Sequence, residues 1–228
     1  MFKTETHLHV AEVSDCSKLK ASEMIKAYHK AGYKTVFVTD HFTACFLDSL
    51  GDIPYEDKIT VFLSGYYKAK VVGDSLGMNV MMSAEISLES CPNHYLAYGV
   101  TKAFLVAYPE LCYMSAEELY RVAKKHGIFL VQAHPHRDGV CYPTPEFVDG
   151  MEIYNPNPRH EDHSDKTEAV VREYGLCVTG GSDSHRPEDI ARSGVETEEE
   201  IKTTEDFVAA VKSGRATIIR SEGGRSVF

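Results

Sequence analysis

His7-Leu8-His9 places two imidazoles at positions i and i+2, and in a strand such residues face the same side, so both can reach one ion. Asp183-Ser184-His185 repeats that geometry with a carboxylate in the first place, directly after Gly180-Gly181, where small residues let the backbone pass close to a site. Glu85 follows the apolar run Val80-Met81-Met82. A charge there is costly unless it is paired or bound to a cation, and a carboxylate bridging two ions would satisfy it. His134 closes Phe129-Leu130-Val131-Gln132-Ala133, His94 opens Tyr95-Leu96-Ala97-Tyr98, and Asp40-His41 follows Thr35-Val36-Phe37-Val38-Thr39. Each feature alone has a plain reading as a chance pair, an Asx turn or a core histidine. Together they put His or acidic residues at the ends of many separate apolar runs, the pattern of a cluster built for divalent cations.

The elements that must position these residues follow a repeated order: helix, glycine stop, short apolar run, polar residue. Ala21, Met24, Ile25 and Tyr28 fall at i, i+3, i+4, i+7, Gly32 supplies the stop, and the next run leads to Asp40-His41. Ser115 and Glu118 have capping-box spacing, Leu119, Val122 and Ala123 form an apolar face, and Gly127 precedes the run ending at His134. A third helix is expected near Lys166 to Tyr174, stopped by Gly175 before Leu176-Cys177-Val178-Thr179 and the Asp183 cluster. Further β-type runs are Lys3 to Val10, Val80 to Leu88, Tyr95 to Val100, Met151 to Tyr154 and Ala216 to Arg220, giving roughly seven or eight strands. This predicts an α/β fold with a mainly parallel sheet covered by helices. Closure into a barrel would bring the C-terminal strand ends to one rim. An open doubly wound sheet is the alternative, but it concentrates its site at one switch point.

The 228 residues are 43% hydrophobic, without a composition break, and read as a single domain, 1–228. No apolar stretch approaches the ~20 residues of a membrane span, and no signal peptide is visible. A net charge of −10 argues against duplex nucleic acid as the main partner. Six scattered cysteines without a C-x-x-C pair fit reduced thiols in a cytoplasm.

In order along the chain, His7-x-His9, Thr39-Asp40-His41, Ser83-Ala84-Glu85, His94-Tyr95-Leu96, Ala133-His134-Pro135 and Gly181-Ser182-Asp183-Ser184-His185 resemble the PHP (polymerase and histidinol phosphatase) family over nearly the whole length. The resemblance implies a distorted (β/α)7 barrel, a trinuclear zinc, manganese or iron centre, and phosphoesterase activity on a small phosphorylated substrate. It implies that His7, His9, Glu85 and Asp183 hold one ion, and that Glu85, His94 and His134 hold a second. His41 and His185 would hold a third together with Asp15, which has the family's usual offset from His9. Glu12 is the substitute, since Cys16 stands where glycine is frequent. Two or three divalent ions are therefore expected. Two of them sharing a carboxylate can activate water and neutralise a leaving oxygen, which makes Glu85 and Asp183 the catalytic pair.

Substrate contacts are sought beside the ligands. His136 and Arg137 directly follow His134-Pro135, and Arg137 could fork onto phosphate; Arg159 and His160 lie on a polar loop after Met151 to Tyr154. A surface loop and a polar turn are the plain readings of these segments. His29 and His126 sit on expected helices and are assigned to packing or surface, and the Glu196 to Glu200 run to a solvated face opening a helix. Two other readings compete with the phosphoesterase. One is an amidohydrolase-type C–N hydrolase, which normally wants a bridging lysine. The other is a PHP module with a structural, regulatory or nuclease role in a larger assembly.

Overall fold

The computed structural model describes residues 1–220. In chain order the elements are β1 (Phe2–Leu8), α1 (Ala21–Lys30), β2 (Tyr33–Val38), β3 (His41–Phe42), α2 (Ala44–Ser49), α3 (Tyr55–Phe62), α4 (Ser64–Leu76), β4 (Asn79–Met82), β5 (Glu85–Ser87) and β6 (His94–Tyr98). They continue with α5 (Lys102–Ala107), α6 (Ala116–Lys125), β7 (Phe129–Ala133), β8 (Gly150–Tyr154), α7 (Ser164–Tyr174), β9 (Cys177–Gly180), β10 (Val195–Thr197), α8 (Thr204–Lys212) and β11 (Thr217–Ile218).

The three expected helices form where their patterns place them. Ala21, Met24, Ile25 and Tyr28 are the buried stripe of α1. The capping box of Ser115 and Glu118 opens α6. Gly32, Gly127 and Gly175 adopt φ of 83°, 69° and 65°, the left-handed conformation that ends a helix cheaply only at glycine. The stretch from 44 to 76 holds three further helices, and the longest, α4, buries Gly65, Ala69 and Gly73. Its packing stripe is made of residues too small to register as an apolar pattern. They are small by necessity, because a Cβ on Gly73 would lie 2.3 Å from Val80 Cγ2 and one on Gly65 2.5 Å from Val10 Cγ2.

The strands pair in two sheets, ordered β11-β10-β1-β2-β4 and β3-β5-β6-β7-β8-β9. The run read as one strand from Val80 to Leu88 is two, β4 in the first sheet and β5 in the second, and β2 and β3 break in the same way. Main-chain bonds carry the register across both breaks, from Ser83 N to Val38 O (3.0 Å) and from Glu85 N to Asp40 O (3.1 Å). A second seam joins β1 to the segment after β9 through the parallel Leu8 and Ser184 bridge. The sheets are mixed. β6 runs antiparallel to β5 and β7, since residues 88–93 are too short for a crossover, and β10 and β11 are antiparallel additions beside β1. The reversal explains His94: it opens its strand, yet lies at the rim where the parallel strands end. The acidic run also differs from expectation, since Glu196 lies in β10 and α8 begins only at Thr204. No helix among the described residues is long and apolar enough to cross a membrane, and all six cysteines are free.

Where β9 ends, the chain crosses the middle of β1 and β8. A Cβ on Gly181 would stand 2.5 Å from both Glu152 Oε1 and His7 Cβ, and 3.0 Å from Thr6 Oγ1. Gly181→Ala is expected to cost about 1–3 kcal/mol through this overpacking. Urea unfolding of the metal-free variant measures it, and a stability equal to the parent would mean that the strands separate more freely than their spacing indicates.

Candidate metal centre

The ends of four strands, β1, β3, β6 and β7, converge on Glu85. Its fully buried carboxylate has His41 Nδ1 at 2.7 Å, His94 Nδ1 at 3.0 Å, His134 Nε2 at 3.1 Å, His9 Nε2 at 3.4 Å and His7 Nε2 at 3.5 Å. Asp183 stands on the opposite side, with Oδ1 3.1 Å from His9 Nε2, 3.3 Å from His7 Nε2 and 3.4 Å from His185 Nδ1. Four groupings have donor atoms close enough to share an ion: His7/His9/Glu85, His7/His134/Asp183, His41/Glu85/His94 and His9/His41/His185.

Hydrogen bonding does not account for this crowding. Among the described residues, His7 Nε2, His9 Nε2, His41 Nδ1, His134 Nδ1, Glu85 Oε2 and Asp183 Oδ1 are buried without a hydrogen-bond partner. Buried polar atoms left in that state are costly. Their near neighbours lie at separations of 2.7–3.5 Å without the angles of hydrogen bonds. Two ligands each about 2.0–2.1 Å from a tetrahedral ion stand roughly 3.3 Å apart, so this donor set fits divalent cations.

Burial and neighbouring charge set the protonation of the metal-free cluster. Desolvation opposes the charge on Glu85 and Asp183, but His94, His41 and His7 around the first, and Arg137 and His7 beside the second, hold both carboxyls well below the usual range. Desolvation likewise opposes charge on His7 and His41. Asp183, Glu152 and Glu85 nonetheless raise His7 well above the ordinary imidazole value, and Glu85 brings His41 to about 10. Burial and the neighbouring His41 and His185 push His9 well down, while burial and Arg137 take His134 to about 3. An entering cation competes with protons at His7 and His41 and meets free nitrogen at His9 and His134.

Residues behind the donors fix their aim, and the sequence reading missed them. Glu152 on β8 places Oε1 3.0 Å from His7 Nδ1, while its Oε2 accepts from His134 N (3.1 Å) and Asn155 Nδ2 (2.7 Å). It is a charge inside an apolar strand, the same signal that singled out Glu85. Asp40 accepts from Val10 N and Ser14 Oγ, and Glu5 from His7 N, Ser182 N and Tyr28 Oη; burial raises each carboxyl to about 7. His134 and Asp183 have φ of 31° and 49°, unfavourable for residues with a Cβ, so backbone strain sits at two of the donors.

The loop after His9 departs from expectation. Asp15 is exposed and belongs to none of the four groupings, and Glu12 accepts from Ala21 N (2.9 Å) instead. The cause is a tight turn closed by Ser17 N on Ser14 O (2.8 Å), with Ser14 and Ser17 facing inward. Within it burial opposes ionisation of the Cys16 thiol, but the His185 and His41 imidazoles bring it down to about 6. Asp15, Cys16, His41, Thr43, Phe46 and His94 are among the residues around a cavity of about 380 Å³ beside the cluster.

Of the expected substrate contacts, Arg137 reaches the cluster: its guanidinium binds Asp183 and Asn155 Oδ1. His136 is partly buried, with Nε2 lacking a partner among the described residues. Arg159 instead forks onto Asp189 (2.7 and 2.8 Å), whose Oδ2 also accepts from His185 N, so it braces the loop carrying His185. His160 is exposed and pairs with Asp138 (2.6 Å). His29 is exposed on α1 and His126 caps α6 against Tyr108 Oη, both away from the cluster.

Comparisons with known proteins bear on the fold that carries this cluster. The family model described as PHP-associated matches residues 162–216, from just before α7 to the residue before β11. The fold is PHP-like. The chain superposes with TM-score 0.68 and 17% identity on a two-domain protein from Bacteroides vulgatus containing a predicted PHP-like metal-dependent phosphoesterase, covering 97% of this chain and 65% of that one. PsfC from Pseudomonas syringae gives TM-score 0.70 at 15% identity, covering 97% and 92%. The lesion-specific endonuclease PfuEndoQ from Pyrococcus furiosus gives 0.61 at 16%, covering 93% and 56%. The chain thus spans less than two thirds of the Bacteroides and Pyrococcus proteins. No curated protein matches it by sequence.

Glu152 offers two oxygens to three donors, and a glutamine can accept at only one of those positions. Glu152→Gln should therefore misalign His7 and weaken ion binding roughly 10–100-fold, the usual cost of losing such a support. Calorimetric Zn2+ or Mn2+ titration tests it; an unchanged affinity would remove Glu152 from the positioning of His7.

Proposed function

We propose that this protein is a metal-dependent phosphoesterase acting on a small phosphate ester. We read residues 1–228 as one PHP-type domain whose two sheets form the wall of a distorted (β/α)7 barrel. The observation that carries the activity is the convergence of six imidazoles and two carboxylates, with orphaned buried donor atoms, at the strand ends around Glu85. In this reading His7, His9, Glu85 and Asp183 hold one cation and Glu85, His94 and His134 a second. Zinc, manganese or iron are the candidates for a set of nitrogen and carboxylate ligands.

Such cations supply activated water and neutralise charge at phosphorus. The chain supplies position and selectivity. Glu85 and Asp183 flank His7 and His9 on strand ends fixed by main-chain bonds, so little reorganisation is needed when substrate arrives. The Arg137 guanidinium at the edge of the cluster can transfer a donor from Asp183 to a phosphate oxygen, and His136 offers a further group on the same turn. The cavity beside His41 and His94 has room for the organic part of a small ester. A phosphate ester is favoured over a C–N substrate because the bridging position belongs to a carboxylate, Glu85, and over a long polyanion because of the net charge of −10.

Elemental analysis followed by a panel of phosphomonoesters, cyclic phosphates and short oligonucleotides tests the reading. Two or more ions and turnover of a small ester are expected; protein that takes up no divalent ion would end it. Glu85→Gln should lower kcat/KM at least about a thousand-fold, as expected when several kcal/mol of transition-state stabilisation are lost, with a much smaller effect on melting temperature. Activity within a few-fold of the parent would reduce Glu85 to a buried structural acid. Arg137→Ala should lower kcat/KM by about 1.5–3 kcal/mol with metal content unchanged, and Arg137→Lys should recover part of it, because an ammonium keeps the charge and loses the planar fork. Parent-like kinetics in both variants would leave phosphate binding to the cations alone.

A further inference from the structure

We propose that the cavity beside His41 and His94 receives the alcohol half of the substrate, and that this alcohol is aromatic and free of a second anionic group, with Phe46 as the residue that selects it. The inference rests on the phosphoesterase reading and narrows its substrate class.

The cavity, of about 380 Å³, opens directly on the donor cluster, because His41 and His94 belong to both. An ester whose phosphate lies at the cluster has this space beside it for the part that does not react. The wall comes from the loop after β1, from α2 and from the facing ends of β5 and β6. Phe46 of α2 gives it an aromatic surface. The side chain is half-buried, and its ring packs at a steep angle against that of Phe62, with centroids 6.1 Å apart and planes at 66°. Thr43 Oγ1 accepts from Phe46 N (3.0 Å), which pins the first turn of the helix that carries the ring. A flat, rigid group meeting Phe46 gains apolar contact and ring attraction while giving up little conformational freedom.

The polar groups of the wall decide what is turned away. Ser14 Oγ is already bonded to Asp40 and to His41 N, Thr43 Oγ1 to Phe46 N, and Ser49 Oγ to Phe46 O. The hydroxyls of a sugar or polyol would give up water there and find these partners engaged, a poor exchange. Neither lysine nor arginine is among the residues that line the cavity, and its exposed carboxylate is Asp15. A second phosphate or a carboxylate on the substrate would thus meet like charge without a counter-charge.

Kinetics of the metal-loaded full chain on benzyl phosphate, glycerol phosphate and para-carboxybenzyl phosphate test the inference, with rates normalised to bound metal. Benzyl phosphate should lead glycerol phosphate in kcat/KM by roughly ten-fold or more, the low end of what one apolar pocket contact yields. Phe46→Ala should shrink that ratio roughly 3–10-fold, the scale of an aromatic pair, and Phe46→Leu, which keeps bulk against Phe62, should also shrink it. The ratio is internal to each preparation, so an unfolded fraction does not alter it. Asp15→Lys should improve the carboxybenzyl ester relative to benzyl phosphate by roughly 2–5-fold, the scale of an exposed charge pair. In calorimetry, benzylphosphonate, which cannot be hydrolysed, should bind the parent more tightly than methylphosphonate does, and Phe46→Ala should narrow the difference. Glycerol phosphate turned over as well as benzyl phosphate, or a ratio that ignores Phe46→Ala, overturns the inference and leaves the phosphoesterase reading standing. No turnover of any of the three by protein that holds its ions overturns both.

Discussion

A carboxylate sealed from water beside five imidazoles is the constraint on which this structure turns. Ionised carboxylates are expensive to bury, and the cost is bearable only where positive charge and well-placed donors surround them. Glu85 meets that demand with side chains from four strand ends, so the β-strands must end together, in register, at one rim. The breaks between β2 and β3 and between β4 and β5 serve the same end. They turn His41 and Glu85 toward the cluster while the parallel register continues across the gap.

Much of this was legible because the donors obey local rules. An i, i+2 pair in a strand shares a face whatever the fold, and a helix ended by glycine before an apolar run announces where the strand will stop. Neither inference needs long-range information. Reading failed where the partner is remote. The stripe of α4 could not be seen as a packing face, because Gly65 and Gly73 are small only on account of Val10 and Val80, far off in the sequence. Asp15 fits a spacing rule, yet its orientation is decided by Ser14 binding Asp40 and Ser17 binding the main chain of His185. Glu152 could have been found by the argument applied to Glu85. Its imidazole partner is His7, on β1, far off in the sequence.

Two scales of electrostatics coexist in the molecule. At long range the net charge of −10 repels polyanions. Within the rim, Arg137 and the protonated histidines face the buried acids, and the local field there is set by whatever cations those acids hold. The resemblance in fold to a lesion-specific endonuclease does not carry that protein's substrate with it, because function follows the chemistry of a site rather than the fold that holds it.

The donors on β1 and those after β9 lie far apart along the chain, and both face the same few cubic ångströms. During synthesis His7 and His9 emerge early, but their counterparts Asp183 and His185 leave the ribosome only after every intervening element has been made. The centre can therefore close only late, when nearly the whole domain is available to fold. Any ion seated between them then acts as a cross-link between distant segments, of the kind that stabilises most when the loop it closes is long. Metal supply would then govern how long the folded chain persists as well as its chemistry, since releasing the ion leaves only the main-chain seam to tie the first strand to the last part of the rim.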